Sequence, residues 1–229
     1  MHRLIEGFER FRDHVFPQRR ELFRQLAEQQ NPHTLFITCA DSRIMPEMIF
    51  STQPGDLFVY RNIGNIVPPY AQHVSGVVAA IEYAVKVVKV QHIVICGHSD
   101  CGAMKALQNP ELMGDMQSVS DWLKHADVAR VVAAENASTL DEAAKLRCLT
   151  EENVICQLEH LRTLPAVAAA VAKGRLRIHG WVYDIAHAGL RVFDASAGRF
   201  VEVESGKQMT LADATPLARF AVHQEEATA

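Results

Sequence analysis

TLFITCADSR (residues 34–43) joins an apolar run to a polar one. Its apolar part predicts a short buried strand that ends at Cys39. The runs LFVY (57–60) and HIVIC (92–96) predict two further strands, and a helical pattern over residues 74–89 separates them. Because strands and helices alternate, we expect an α/β fold with a mostly parallel central sheet flanked by helices.

Sequence patterns outside this segment predict the remaining helices and strands. Residues 3–30 predict two amphipathic helices broken near Pro17, and this N-terminal helical arm (1–30) needs a packing partner such as another subunit. We expect further helices over residues 102–107, 118–134 and 139–173, a strand over 177–185, and a hairpin of 190–194 with 200–203. The whole chain, 1–229, is expected to form a single domain, and its tail, 205–229, carries only a weak pattern.

Composition limits the classes of function. A formal net charge of −4 without a basic block argues against nucleic acid or an anionic membrane surface as a partner. The charged N-terminal segment does not resemble a signal peptide, and no uncharged apolar run approaches the roughly 18 residues that span a bilayer. The chain has 5 cysteines, and this odd number argues for a reducing compartment and a cytoplasmic protein.

Polar side chains follow two of the predicted strands. Cys39 and Asp41 follow the first strand, and His98 and Cys101 follow the strand of residues 92–96. Ligands of open α/β sheets bind just beyond the carboxyl ends of the strands, so these side chains can meet in space. Two thiolates and a neutral imidazole are the ligands of a Cys₂His zinc site, which leaves a fourth position for water or substrate.

Other interpretations of the cysteines stay open. A structural zinc site would be closed and usually contains paired C-x₂₋₄-C knuckles, whereas this sequence has no second knuckle. A redox-active thiol pair is disfavoured because the sequence has no C-x-x-C motif. The remaining thiols, Cys96, Cys148 and Cys156, fit small core residues.

Asp41 and Arg43 form the second part of the predicted site. If residues 41–43 are extended, both side chains lie on the same side, and Arg43 can hold the carboxylate through two hydrogen bonds. Released from Arg43, Asp41 can bind the metal itself; held by Arg43, it can accept a hydrogen bond from water at the metal. The alternative is an ordinary surface ion pair worth at most about 1 kcal/mol.

The pattern Cys39-x-Asp41-x-Arg43 with His98-x-x-Cys101 resembles the signature of the β-class carbonic anhydrases. The resemblance extends to about residue 204 and is closest to bacterial enzymes encoded beside cyanase and to the plant type. The segments that support it are QPGDLF (53–58), RNIGNIVPP (61–69), EYAV (82–85) and HGWVYD (179–184).

This resemblance implies a zinc lyase that hydrates carbon dioxide reversibly to bicarbonate and a proton, through attack by a zinc-bound hydroxide. It implies that Cys39, His98 and Cys101 are permanent Zn²⁺ ligands. Asp41 would be an exchangeable fourth ligand, and Arg43 its partner when the metal position is open. Family members commonly form homodimers or homotetramers in which the arm wraps a neighbour, so we expect a homo-oligomer with its pocket at a subunit interface.

The resemblance also implies a substrate pocket. Gln30 would donate a hydrogen bond to a substrate oxygen, and the backbone N–H of Gly102 would hold a bicarbonate oxygen. Phe58, Ile63 and Tyr83 would line an apolar mouth. Without the resemblance, Gln30 fits a solvated helix end, and the three apolar side chains fit a plain core.

Three positions depart from the family pattern. Phe36 stands where bicarbonate-regulated members have tryptophan, so we expect that regulation to be absent, although Arg61 and Tyr183 resemble other parts of it. Ala40 stands where many members have serine, and Asp100 where many have an uncharged residue. Two other functions stay open: a non-catalytic zinc-stabilised binding module, and a related hydrolase that acts on carbon disulfide or carbonyl sulfide.

Overall fold

The computed structural model describes residues 1–71 and 75–204. The predicted tail, 205–229, and the predicted helix start at Val74 lie outside these residues. The helices are α1 (His2–Arg10), α2 (Arg20–Glu28), α3 (Pro46–Ile49), α4 (Gly76–Tyr83), α5 (Gly102–Gln108), α6 (Gln117–Leu123), α7 (Asp127–Asn136), α8 (Glu142–Thr163) and α9 (Pro165–Ala172). The strands are β1 (Thr34–Cys39), β2 (Leu57–Asn62), β3 (His92–His98), β4 (Arg177–Asp184), β5 (Gly189–Asp194) and β6 (Arg199–Glu202).

Within the described residues, the strands form one sheet in the order β2-β1-β3-β4-β5-β6. The first four strands in this order are parallel, whereas β5 and β6 form the predicted antiparallel hairpin beside β4. The α/β class with a mostly parallel, helix-flanked sheet is therefore confirmed. Since β1 lies between β2 and β3, the ends of these three strands, at Cys39, Asn62 and His98, reach the same edge of the sheet.

The main core lies between the sheet and helices α4, α8 and α9. In this core, Ile37 of β1 shares a buried cluster with Val154 and Leu158 of α8. Glycines in β3 and β4 let α8 approach closely. A Cβ on Gly180 would lie 2.8 Å from Val154 Cγ1 and 2.9 Å from Leu158 Cδ1, and one on Gly97 would lie 3.1 Å from Val154 Cγ2. The strand that carries His98 is thus packed directly against α8.

Aromatic side chains form a cluster on the other face of the sheet. Phe36 is buried, and its ring centroid lies 5.2 Å from that of Phe50 and 6.0 Å from that of Trp181. Val94 and Cys96 belong to the same cluster. Phe36 is therefore a packed core residue.

The N-terminal arm consists of α1 and α2, joined by two short segments whose helical turns are wider or tighter than those of an α-helix. A π-helical segment, Phe11–Val15, is followed by a 3₁₀ turn, Phe16–Arg19, which contains the proline at which a break was predicted. Leu4, Ile5 and Phe8 on α1 are 71%, 56% and 60% exposed. The arm thus presents an apolar stripe to solvent in a single chain. Among the described helices, none has the length and apolar character that crossing a membrane requires.

Candidate metal centre

The strand ends place the predicted metal ligands. Cys39 is the last residue of β1, His98 is the last residue of β3, and Cys101 immediately precedes α5. β1 and β3 are adjacent and parallel, so their carboxyl ends meet. All three side chains are buried, with 5%, 0% and 1% of their surfaces exposed.

The three ligand atoms fit a tetrahedral zinc ion. They lie within 4.8 Å of one another, and the sulfurs of Cys39 and Cys101 are 3.9 Å apart. Two thiolates on one tetrahedral zinc, each at ~2.3 Å, would be separated by about 3.8 Å. The observed sulfur separation therefore needs little adjustment to hold the metal.

The tautomer of His98 is fixed by its neighbour. Its Nδ1 lies 2.9 Å from the backbone oxygen of Ser99, which can only accept a hydrogen bond, so Nδ1 carries the proton. The other ring nitrogen, Nε2, is buried and has no hydrogen-bond partner among the described residues. A neutral imidazole with a free Nε2 lone pair is the form that binds a metal, with the second nitrogen oriented by a carbonyl.

The two thiols share a proton. The hydrogen bond between the two sulfurs lowers the pKa of Cys39, in spite of burial. The same hydrogen bond, together with burial and the charge on Cys39, raises the pKa of Cys101. A divalent metal removes this conflict because it stabilises both thiolates at once. By contrast, burial raises the pKa of Cys96 to about 12, which fits its predicted role as a core thiol.

Asp41 is held by Arg43 rather than placed among the three buried ligands. Arg43 donates from Nε to Asp41 Oδ1 at 3.0 Å and from Nη2 to Asp41 Oδ2 at 2.7 Å. These side-chain hydrogen bonds lower the pKa of Asp41, as does the backbone N–H of Arg43. Oδ2 of Asp41 lies 3.9 Å from His98 Nε2, so the carboxylate borders the metal position. Ligation of the metal by Asp41 stays a prediction.

The local backbone differs from the expectation that residues 41–43 are extended. The segment forms a turn closed by the N–H of Ile44 and the carbonyl of Asp41, and Asp41 Oδ1 accepts the N–H of Arg43 at 2.9 Å. This Asx turn, rather than strand alternation, brings the carboxylate and the guanidinium together. The predicted pairing is present, but the predicted reason for it was wrong.

Two charged residues near this pair were not predicted as parts of the site. Arg61 donates to the backbone oxygens of Cys39 and Asp41, at 3.1 and 2.6 Å, and so supports the segment between them. Asp100 accepts a hydrogen bond from Arg43 at 3.1 Å. Asp100 lies between His98 and Cys101 in sequence, but its contact with Arg43, 57 positions away, becomes visible only in the fold.

A pocket of about 400 Å³ opens beside Cys39 and Asp41. Its lining includes two of the predicted substrate residues, Ile63 and Gly102. Trp122 holds the first of these by donating from Nε1 to the Ile63 backbone oxygen at 2.8 Å. The other walls of the pocket are mostly apolar side chains: Ala103, Ala106, Leu112, Met116 and Val119.

The other predicted substrate residues lie outside this lining within the described part of a single chain. Phe58 and Tyr83 pack against each other, with ring centroids 6.1 Å apart. Tyr83 is 45% exposed, and Gln30 is exposed in the segment between α2 and β1. One chain therefore brings together only part of the predicted pocket.

A buried polar pair on α8 holds the loop that carries Ile63. Asn153 donates from Nδ2 to the backbone oxygen of Gly64 at 3.1 Å, and its Oδ1 accepts from Gln157 Nε2 at 2.9 Å. Gln157 Oε1 in turn accepts the backbone N–H of Val67 at 2.9 Å. Both side chains are fully buried. In the sequence, Asn153 and Gln157 are only two amides at positions i and i+4 of a helix. Such a pair alone is typical of a solvated helix face.

Comparisons with known proteins identify the family of the chain. The family model described as carbonic anhydrase matches residues 34–190. A carbonic anhydrase from Pseudomonas aeruginosa is 48% identical over 205 residues, which cover 89% of this chain and 92% of that protein. Carbonic anhydrase 1 from Escherichia coli O157:H7 is 47% identical over 209 residues, 91% of this chain and 95% of that protein.

Solved structures show the same similarity. The β-carbonic anhydrase CcaA superposes with a TM-score of 0.86 at 41% identity, covering 90% of this chain and 93% of that one. One of two tetrameric β-carbonic anhydrases from Sordaria macrospora superposes with a TM-score of 0.74 at 32% identity, covering 90% and 98%.

Proposed function

The chain belongs to the β-class carbonic anhydrases, enzymes whose general reaction is the hydration of carbon dioxide, and from this we propose that it performs that reaction with Zn²⁺ held by Cys39, His98 and Cys101. The observation that carries the proposal is the buried Nε2 of His98, which has no hydrogen-bond partner in the described residues and lies beside two coupled thiols. When bound, zinc supplies a Lewis acid that lowers the pKa of water.

Asp41 and Arg43 control access to the fourth metal position. Arg43 binds both carboxylate oxygens of Asp41, and the backbone N–H of Arg43 adds a third hydrogen bond. In this state the carboxylate remains ionised and can only accept, so Oδ2, which faces the metal position, accepts a hydrogen bond from the attacking water and orients it. Released from Arg43, Asp41 would occupy the metal position itself and stop turnover.

The pocket suits an uncharged substrate. Ile63, Ala106 and Val119 provide apolar walls that exclude water around carbon dioxide. Gly102 begins α5, so its backbone N–H has no partner within the helix and can donate to an oxygen of bicarbonate. A Cβ at this position would meet no atom within 4 Å, so the space beside the Gly102 Cα is open.

We propose that a second copy of the chain completes the pocket with Gln30, Phe58 and Tyr83. Phe58 lies on β2, the edge strand of the sheet, and Tyr83 is half-exposed beside it. The exposed apolar stripe of α1 also requires a partner. The Sordaria macrospora relatives are tetrameric, and we propose a homodimer or homotetramer here. We also propose that the chain is most similar to the enzymes encoded beside cyanase and to the plant type, and that it is cytoplasmic.

The experiment combines metal analysis with stopped-flow hydration of carbon dioxide. We expect about one zinc per chain and fast hydration at pH 8.5. Cys39→Ser should lose both zinc and activity, whereas Cys148→Ser, which changes a half-buried thiol on α8, should keep both. Zinc bound at full occupancy without hydration at pH 8.5 would reject the proposal in favour of a non-catalytic zinc module.

A further inference from the structure

Arg43 has a second acidic neighbour besides Asp41. Its Nη1 donates to Asp100 Oδ2 at 3.1 Å, and its Nη2 donates to the Asp100 backbone oxygen at 3.1 Å. These residues lie 57 positions apart in the chain. The guanidinium has five N–H groups. Four of them are used, two by Asp41 and two by Asp100.

The two acidic residues do not compete for the same donors. The edge of Arg43 formed by Nε and Nη2 faces the carboxylate of Asp41, whereas Nη1 faces the carboxylate of Asp100. Asp100 therefore restrains the guanidinium from its far end and leaves the edge that binds Asp41 unchanged.

Lys105 fixes Asp100 in turn. Its Nζ pairs with Asp100 Oδ1, the oxygen that Arg43 does not use. Lys105 is the largest influence that lowers the pKa of Asp100, followed by Arg43. Asp41, Arg43, Asp100 and Lys105 thus form a row of alternating charges that runs from the metal position to α5.

The backbone ties Asp100 to the metal loop. Asp100 lies between the ligands His98 and Cys101, with φ of 58° in the left-handed region. Asparagine adopts this conformation readily, whereas alanine is strained there. Asp100→Asn therefore changes the charge without changing the loop.

We propose that Asp100, held by Lys105, is a positioning residue that fixes Arg43 in the orientation that binds Asp41, and so favours the state in which Asp41 stays off the metal. This inference rests on the proposed zinc function of the same site. The Arg43 side chain is 43% exposed, so without Asp100 it gains other rotamers and releases Asp41 more often.

Azide binding to cobalt(II)-loaded, full-length protein tests the proposal. Azide binding changes the visible absorption of cobalt. Asp41 on the metal excludes azide, so the apparent azide dissociation constant rises as the fraction of protein with Asp41 off the metal falls. The measurement uses solution conditions under which the wild-type constant is twice that of Asp41→Asn, whose metal position is always open, so that half of the wild-type protein is open. Loss of an exposed ion pair changes the ratio of the open to the closed state by up to about fivefold. Starting from a half-open protein, Asp100→Asn should therefore raise the apparent azide dissociation constant about threefold.

Two controls separate positioning from other effects. Asp127→Asn removes the same charge from an exposed ion pair with Arg130 on α7, and it should leave the azide constant unchanged. In an Asp41→Asn background the metal position is always open, so adding Asp100→Asn should not raise the azide constant. Lys105→Gln should raise the constant in the same direction as Asp100→Asn, by a smaller factor, and it leaves the metal loop intact.

An unchanged or lower azide constant in Asp100→Asn would overturn the proposal, whatever the result for Lys105→Gln. A lower constant is what simple loss of a negative charge near an anion produces. An equal rise in the Asp41→Asn background would also overturn it. Azide binding does not require hydration, so an inactive zinc enzyme would reject the proposed function while the azide constants still decide the role of Asp100.

Discussion

Asn153→Ala would remove the buried amide that links α8 to the loop carrying Ile63. Asn153 is 0% exposed, and its loss leaves the backbone oxygen of Gly64 and the Nε2 of Gln157 without their partners. Each buried polar group left unsatisfied costs about 1–3 kcal/mol, and the better helix propensity of alanine returns up to ~0.7 kcal/mol. We expect the free energy of unfolding to fall by about 2–5 kcal/mol.

The assay is urea denaturation of the zinc-loaded protein, with stopped-flow hydration on the same samples. Asn136→Ala is the matched control, because Asn136 is exposed on α7 and donates to Glu152 at 3.1 Å. Its unfolding free energy should change by less than about 0.5 kcal/mol. Because Gly64 follows Ile63, Asn153→Ala should also lower kcat/KM severalfold while the zinc content is kept.

Two results would refute this reasoning. A loss of stability below about 1 kcal/mol, indistinguishable from that of Asn136→Ala, would show that the buried hydrogen bonds contribute little. A large loss of stability with unchanged kcat/KM would show that the link from α8 does not position the mouth of the pocket.

The other predictions address the gate, the core and the thiols. Asp41→Asn should keep zinc but lower turnover at least tenfold by stopped-flow assay, and unchanged turnover would remove Asp41 from the mechanism. Arg43 lowers the pKa of Asp41, so the stability that Asp41 provides to the metal-free protein should be constant above about pH 5 and lost as pH falls below ~4. Urea titrations at several pH values should show the difference in unfolding free energy between wild type and Asp41→Asn shrinking in that range. A pH-independent difference would contradict this. Gly180→Ala should cost about 1–3 kcal/mol because its Cβ overlaps α8, whereas Gly189→Ala, with 3.6 Å to its nearest contact, serves as the tolerant control. In the presence of a chelator, iodoacetamide should modify Cys39 at pH 7 and spare Cys96, as mass spectrometry would detect; equal labelling would contradict the opposite pKa shifts of the two thiols.

The sequence allowed the sheet and the cluster of Cys39, His98 and Cys101 to be predicted because both depend on local patterns. Apolar runs predicted β1 and β3, and polar residues at their ends could only meet at one edge of a parallel sheet. The Asx turn at Asp41 was missed because the pattern was interpreted as extended, although aspartate is a common first residue of such turns.

The rest of the site depends on contacts that no local pattern encodes. Asp100 meets Arg43 across 57 positions of sequence, and Asn153 meets Gly64 across 89. Polar residues such as these are usually solvated, and they are informative only once the fold shows what they contact. The proposed roles of Gln30, Phe58 and Tyr83 need a second chain, whose placement a single sequence does not specify.

The distribution of the proposed metal ligands over the ends of β1 and β3 predicts an order of events during folding of the protein. The sulfurs of Cys39 and Cys101 are 62 positions apart in sequence, and they approach each other only after β1 and β3 have paired. Closing so long a loop has an entropic cost that strand pairing must offset before the metal can bind. In small zinc-dependent domains the metal drives folding. At the zinc site proposed here, the folded sheet would capture the metal, so refolding should proceed at the same rate with or without zinc, and activity should appear in a later, zinc-dependent step.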